Sequence, residues 1–254
     1  MAGKLYLCAT PIGNLEDITY RVVRTLKEVD IIGAEDTRNS IKLLNHFDIK
    51  TPMTSYHEFN KYDKAKVLVQ EMLDGKNVAL ITDAGTPGIS DPGEELVRQC
   101  YEAGVEVTSL PGAAACITAL TMSGQKTRRF CFEAFLPKDK KEKSRVLESL
   151  KEETRTIIIY EAPHRLLKTL RELMDVLGDR PLTVCRELTK KYEEAFQTTF
   201  SELIEEKRRQ WEKMSVQEHV EYYVNQGRDK KEAMKLAAKD RGVSKRDIYN
   251  ECNR

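Results

Sequence analysis

No Cys-x-x-Cys pair occurs in these 254 residues, and none of the four histidines has a second ligand at zinc-finger spacing. The six cysteines, at 8, 100, 116, 131, 185 and 252, are scattered. A metal centre is therefore not expected, and the thiols read as reduced, mostly buried side chains. No long apolar run is present either. The longest charge-free stretch, 107–125, has Pro-Gly near its start and Thr, Ser and Gln throughout. It reads as strand, turn and helix rather than as a bilayer span. The N-terminus MAGKLYLCAT is too short and polar for a signal peptide, so a soluble, cytoplasmic protein with no membrane partner is expected. A charge excess is also missing: 42 Lys+Arg face 41 Asp+Glu, a net charge of +1. Neither an acidic disordered chain nor a globally basic polyanion binder fits.

What is there is alternation. KLYLCA (4–9), DIIGAED, NVALITDAG and VEVTSLPG read as strands. The segments between them carry apolar residues at helical spacing, as with Val22, Val23, Leu26 and Val29. Strand-helix repetition predicts a mainly parallel sheet covered on both faces. A second, less regular series follows Pro111-Gly112. RRFCFEAF, TRTIIIYEA, RPLTVCREL and FQTTF are its strands, and residues 140–152 and HRLLKTLRELMDVLG its helices. From about Ser201 strand signals vanish. SVQEHVEYYVNQG and KKEAMKLAAKDRG predict two helices stopped by glycine, and VSKRDIYNE opens a third with Ser244 as cap, the outline of a helix-turn-helix. The expected organisation is an α/β domain over 1–112, a second α/β domain over 113–204 and a helical tail over 205–254.

Two loops at strand ends stand out: Ala9 to Leu15, and Asp83 to Gly93. In an open α/β sheet ligands sit at that edge. Gly85 and Gly88 would let backbone approach a ligand closely, and the prolines fix the loop shape. Neither G-x-G-x-x-G nor G-x-x-x-x-G-K-[ST] occurs, and both loops lack lysine and arginine, so a ligand without phosphates is favoured. Polar clusters end other strands: Glu35-Asp36-Thr37-Arg38, Tyr160 to Arg165, and Arg186 to Lys190, and His57-Glu58-x-Asn60 follows an extended segment. Two basic tracts, 126–145 and 226–246, each hold eight Lys/Arg against three acids. One lies in the helix-turn-helix outline, which favours contact with nucleic-acid phosphates.

With those motifs in view, the sequence resembles the bacterial small-subunit (16S) ribosomal RNA (cytidine-2′-O)-methyltransferases of the tetrapyrrole methylase superfamily. TPIGNLEDIT, AEDTR, HEFN, DAGTPGISDPG, PGAAA, FLP, YEAPHR and RELTKKYEE occur in the family's order between residues 4 and 199, and KDRGVSKRDIY is similar to its RNA-binding extension. The resemblance implies two α/β domains with a cofactor cleft between them, S-adenosylmethionine as methyl donor, ribosomal RNA as partner, and a homodimer. Carried over by position, the cofactor residues would be Pro11, Asp83, Gly85, Thr86, Pro87, Ile89, Ser90, Ala114 and Ala115. A cationic sulfonium without phosphates suits loops free of basic residues. The 2′-hydroxyl is a weak nucleophile, so a general base is expected among Glu35, Asp36, His57, Asp83, His164 and Glu187. Arg38, Arg186 and Lys190 could hold substrate phosphate, and the first choice for chemistry is the Glu35/Asp36/Arg38 cluster. Two departures are visible. Ala114 stands where the family often has serine. A further G-E-F-V-L-V-I-E-G-like strand of the family, after TTFSELIE, has no counterpart here. Two other readings fit the residues: a methylase of a small tetrapyrrole-like substrate, which would not need the basic tail, and a non-catalytic RNA- or ribosome-binding protein.

Overall fold

In a computed structural model of the chain, which describes residues 1–225 and 227–252, the first unit is built by strict strand-helix alternation. Its elements are β1 (Lys4–Cys8), α1 (Tyr20–Glu28), β2 (Ile31–Ala34), α2 (Thr37–His46), β3 (Met53–Ser55), α3 (Lys61–Leu73), β4 (Val78–Ile81), α4 (Gly93–Glu102), β5 (Glu106–Leu110) and α5 (Ala115–Met122). The strands pair in the order β3-β2-β4-β1-β5, every pair parallel. Side-chain alternation explains the layers. Leu5, Leu7, Val78 and Leu80 face α3 and α4, with Leu68, Met72, Leu96 and Cys100. Cys8, Ala79, Ile81 and Ile32 face the other way, against Val22 and Leu26 of α1 and Leu44 of α2. β4 is buried at all four positions, as a strand covered on both faces must be. The short β3 was legible in sequence only as an extended segment before His57.

From β1 the chain crosses to β2, beyond β4. From β4 it crosses the opposite way to β5, beyond β1. The β1 and β4 loops therefore flank a topological switch point, where such sheets hold ligands.

The second unit contains β6 (Phe130–Phe135), α6 (Lys140–Ser149), β7 (Thr156–Tyr160), α7 (Leu166–Leu177), β8 (Pro181–Arg186), β9 (Glu194–Thr199) and α8 (Phe200–Lys213). Its strands form two two-stranded sheets, β6-β7 and β8-β9, the first parallel. Leu136, Leu147, Leu150, Leu167, Leu170, Leu173, Phe200, Leu203 and Trp211 make its core. Helix α8 starts at a capping box, with the Thr199 hydroxyl accepting from Glu202 N and the Glu202 carboxylate accepting from Thr199 N.

The last three helices, α9 (Val216–Asn225), α10 (Lys230–Arg241) and α11 (Lys245–Cys252), share a small core of Val216, Val220, Tyr223, Ala233, Met234, Ala237, Ala238 and Ile248. Gly242 ends α10 in the left-handed conformation, φ +66°, and Ser244 accepts from Asp247 N at 3.2 Å. The helix-turn-helix outline is thus present. Gln226, which opens the second basic tract, and residues 253–254 of the tail lie outside the described residues.

The compact units divide differently from the sequence boundaries. The first holds Met1–Met122 and Cys185–Ala195, the second Ser123–Val184 and everything from Phe196 onward. Residue 112 falls short because α5 stays with the first unit. Residue 204 falls inside α8, whose Phe200, Leu203 and Trp211 belong to the second unit's core and not to a separate tail. Among the described residues no helix is long and apolar enough to cross a membrane.

Candidate active site

At the carboxyl edge of the five-stranded sheet the loops are tied to one another rather than to solvent. Thr10 and Gly85 exchange backbone hydrogen bonds of 2.9 and 3.0 Å, joining the β1 and β4 loops. The Thr10 hydroxyl donates to Thr82 O at 3.1 Å. The Thr86 hydroxyl donates to Ala113 O at 2.9 Å, which joins the β4 and β5 loops. Asp91 folds the β4 loop back on itself, accepting from Gly88 N at 2.8 Å and from Gly93 N at 2.9 Å. Pro11, Asp83, Gly85, Thr86, Pro87, Ile89, Ser90, Ala114 and Ala115 all lie on this edge. Gly85 and Pro87 are buried, while Ile89 and Ser90 are exposed.

The geometry changes the reason for one glycine. Gly85 has φ +91°, and a Cβ there would meet Ile12 Cγ2 at 3.3 Å and Ala113 O at 3.5 Å. It is glycine because the bridge to Thr10 needs left-handed backbone between two neighbouring loops, not because its α-carbon faces open space.

The acidic cluster at the ends of β2 and β4 separates into distinct roles. Asp36 caps α2, accepting from Arg38 N at 2.9 Å, and pairs with the Arg38 guanidinium through Nε and Nη2. Those contacts hold its carboxyl below the ordinary range. Asp83 accepts from Asp36 N and Asn39 Nδ2, both at 3.2 Å, which occupies each of its oxygens in fixing the α2 terminus. Glu35 differs. Burial, and then the charges of Asp83, Asp91 and Asp36, push its carboxyl upward, partly offset by the Asp83 backbone N–H. Of the cluster it is the member whose neutral form is favoured by its surroundings. Sequence reasoning missed Asp91 and Asn39. The D-P-G turn was a signal for the first; the second had none.

The remaining candidates fall elsewhere. His57 stands beside Glu35's strand, its N–H donating to Asn60 Oδ1 at 2.8 Å. Glu187 and Lys190 form an ion pair of 3.1 Å within the segment that rejoins the first unit. That segment lies over the β1 loop, since a Cβ on Gly13 would strike Lys190 Cγ at 2.6 Å and Leu188 O at 2.9 Å. Arg186 pairs with Glu194. His164 belongs to the second unit, where Arg228 Nη2 approaches its Nδ1 to 2.9 Å. Burial and the Arg228 charge keep that imidazole below its ordinary pKa. Among the described residues no group of three His, Cys, Asp or Glu side chains is arranged to hold a metal ion.

The edge fits a nucleoside-and-amino-acid cofactor carrying a positive charge. It offers pinned backbone, exposed Ile89 for an apolar contact, and the acids Glu35, Asp83 and Asp91 after β2 and β4, with Lys190 over the β1 loop. Comparison with known proteins points the same way. Residues 4–204 match the family of tetrapyrrole (corrin/porphyrin) methylases. Over 98% of this chain and 94% of the relative, the sequence is 48% identical to a ribosomal RNA small subunit methyltransferase I of Halalkalibacterium halodurans. Over 98% and 93% it is 47% identical to that of Bacillus subtilis. The first alignment spans 271 positions, whereas 98% of 254 residues is about 249, so about twenty positions of the relative have no counterpart here. Among solved structures, the uroporphyrin-III C-methyltransferase of Thermus thermophilus complexed with S-adenosyl homocysteine superposes with a TM-score of 0.56. It is 19% identical, over 81% of this chain and 92% of that one. At that identity the likeness is one of fold.

Proposed function

The chain belongs to the ribosomal RNA small subunit methyltransferase I family, within the tetrapyrrole methylases, and on that premise we propose that it transfers a methyl group from S-adenosylmethionine to the 2′-hydroxyl of a cytidine in small-subunit (16S) ribosomal RNA. The observation that carries this reading is the likeness to ribosomal RNA small subunit methyltransferase I over 98% of the chain, and Glu35, a half-buried carboxyl facing Asp83 and Asp91 beside the cofactor loops, supports it. The cofactor supplies an electrophilic methyl carbon. The β1, β4 and β5 loops, through Pro11, Gly85, Thr86, Pro87, Ile89, Ser90, Ala114 and Ala115, hold and orient it, and Asp83 fixes the wall beside them. Glu35 accepts the proton of the ribose hydroxyl as that oxygen attacks. Asp36, already charged and engaged with Arg38, leaves the base role to its neighbour. Alignment of two reactants in such a frame supplies, at best, roughly 7–11 kcal/mol of the barrier.

At Ala114 the carbonyl accepts from Ile117 N, Thr118 N and the Thr118 hydroxyl at the start of α5. The same reading includes a homodimer acting in the cytoplasm, with the tail holding RNA. The test is a map of ribose methylation on small-subunit RNA from cells with and without the gene. One cytidine methyl should vanish with the gene and return with the wild-type chain. An unchanged map overturns the reading, and calorimetry with S-adenosylmethionine then decides whether the chain binds the cofactor at all.

A further inference from the structure

The turn that follows β3 carries a phenyl ring almost wholly in water: Phe59 is 97% exposed. One exposed apolar side chain is ordinary. This one projects from a turn whose backbone is ordered by the residue that also caps α3. Asn60 Oδ1 accepts from His57 N at 2.8 Å, Asn60 Nδ2 donates to Ser55 O at 3.3 Å, and Asn60 N donates to His57 O at 3.0 Å. Below the turn, Tyr56 N donates to Ala34 O at 2.8 Å and its hydroxyl donates to Pro92 O at 2.9 Å. The turn is therefore anchored both to the strand that ends at Glu35 and to the loop that Asp91 folds. The His57 ring meets Phe59 edge-on, with centroids 6.1 Å apart.

The residues that flank the ring in sequence are aromatic and of both charges, Lys61 pairing with Glu58 at 2.7 Å and Lys66 with Asp63 at 3.3 Å. Tyr62 is 59% exposed at the start of α3, with the Lys61 ammonium 5.4 Å from its ring. Lys64 and Lys66 continue the same helix. In the first turn of α2 the Arg38 side chain is 89% exposed while paired to Asp36. Flat rings interleaved with cations are the means by which proteins grip single-stranded nucleic acid: rings stack on bases and cations meet phosphates.

We propose that Phe59 is a stacking platform for a nucleobase of the RNA, a positioning residue that seats the target strand so that its ribose hydroxyl reaches Glu35. This rests on the RNA-methyltransferase reading above. A ring carried on an ordered turn is presented to the strand without backbone rearrangement, so the contact favours affinity for the substrate without taking part in methyl transfer.

The experiment compares wild type, Phe59→Ala, Phe59→Leu and Phe59→Trp with small ribosomal subunits lacking the modification and labelled S-adenosylmethionine. In Phe59→Ala, KM for the subunit should rise roughly five- to a hundredfold, the range that loss of one stacked base gives. The turnover number, cofactor affinity and melting curve should stay put. Phe59→Trp should restore KM and Phe59→Leu should not, because only a planar ring stacks. Equal KM in Phe59→Ala and wild type overturns the proposal, as does full rescue by leucine. Sedimentation gives the other decisive arm: if Phe59→Ala shifts the oligomeric state, the ring is a contact between copies and not a base platform. A wild-type chain that neither binds nor methylates subunits would overturn the parent reading as well, and is scored before any variant.

Discussion

At the scale of single residues, the cluster Glu35/Asp36/Arg38 was legible as a unit but its internal division was not. Spacing shows three polar groups at a strand end. Asp36 is consumed as a helix cap, and the fold brings Asp83 and Asp91 from the loop after β4 to crowd Glu35. That crowding has a sign. A carboxyl whose folded pKa lies above its unfolded value adds stability at low pH, and that stability is lost as pH rises through the folded pKa. Glu35→Gln should therefore leave stability at about pH 4 nearly unchanged and raise the melting temperature at neutral pH. Methyl transfer should fall on the order of 10²–10⁴-fold, and the acid limb of the wild-type rate profile, centred above the ordinary carboxylate value of 4.5, should disappear. Melting curves at two pH values and a pH-rate profile check this; a variant destabilised at neutral pH would show that Glu35 is not crowded. Gly85 makes a second residue-scale case. Gly85→Val places a branched side chain at φ +91° against Ile12 and Ala113, a strain of about 1–3 kcal/mol. In a domain of this size that lowers the melting temperature by roughly 2–10 °C. The protein should still fold, with cofactor affinity strongly reduced because the loops it bridges are displaced. A calorimetric titration showing normal affinity would remove this loop from the site.

At the scale of elements, most of the first unit was readable because its central strands β1, β2 and β4 are largely buried on both faces and its helices on one. Periodicity carried less at the half-buried edge strand β3. The second unit was harder for a physical reason. Its strands pair only two by two and are half-buried along their length, so neither face imposes a clean pattern. The boundary at 204 lies within a charged helix, 200–213, that carries three core residues among its many charges. The relatives carry about twenty further positions, and the sequence suggests a missing strand after β9. In this chain α8 instead runs through Met214 and Ser215 directly into α9. The joint is closed by a polar knot. His219 is fully buried and stacked between Trp211 and Tyr223, at centroid distances of 4.9 and 5.6 Å. Arg241 Nε donates to His219 Nδ1 at 3.0 Å, and its Nη2 donates to Trp211 O at 2.9 Å, to Ser215 O at 3.0 Å and to Met214 O. Removal of one guanidinium strands several acceptors at once. Arg241→Met should cost about 2–4 kcal/mol, more than a single hydrogen bond, because the acceptors lose their partner while staying partly buried. Limited proteolysis should then cut near 213–216, with cofactor affinity unchanged. Resistance to cleavage equal to wild type would mean that the apolar core of α9–α11 holds the tail unaided.

At the scale of the whole molecule, a net charge of +1 conceals a tail that is locally basic. The count of eight cations overstates what is offered to RNA. Arg241 is engaged in the knot and Arg228 lies against His164, so both act inside the protein. Lys230, Lys231, Lys235, Lys239, Lys245 and Arg246 remain exposed along α10, its glycine turn and the start of α11. Exposed cations on a pinned helical frame meet phosphates in a salt-dependent way, because each neutralised phosphate releases counterions. Sequence alone could locate this tract, but it could not tell the two internal arginines from the six outward cations, since that difference is set by tertiary packing. Lys239→Glu together with Lys245→Glu should weaken binding to small ribosomal subunits and reduce the slope of log affinity against log salt by about 1.5, the equivalent of two phosphate contacts. Lys239 also stands in the last turn of α10, where a cation favours the helix terminus by about 0.3–1 kcal/mol. A small loss of melting temperature should therefore accompany the change, and Lys239→Gln serves as the control for it. Cofactor affinity, set by the loops of the first unit, should be the same in all variants. A filter-binding series from low to moderate salt reads both affinity and slope. If the double variant binds subunits with wild-type affinity and slope, the six cations form only a solvated face, and the RNA must be held by the body of the enzyme, where Arg38 and the lysines of α3 become the next residues to reverse.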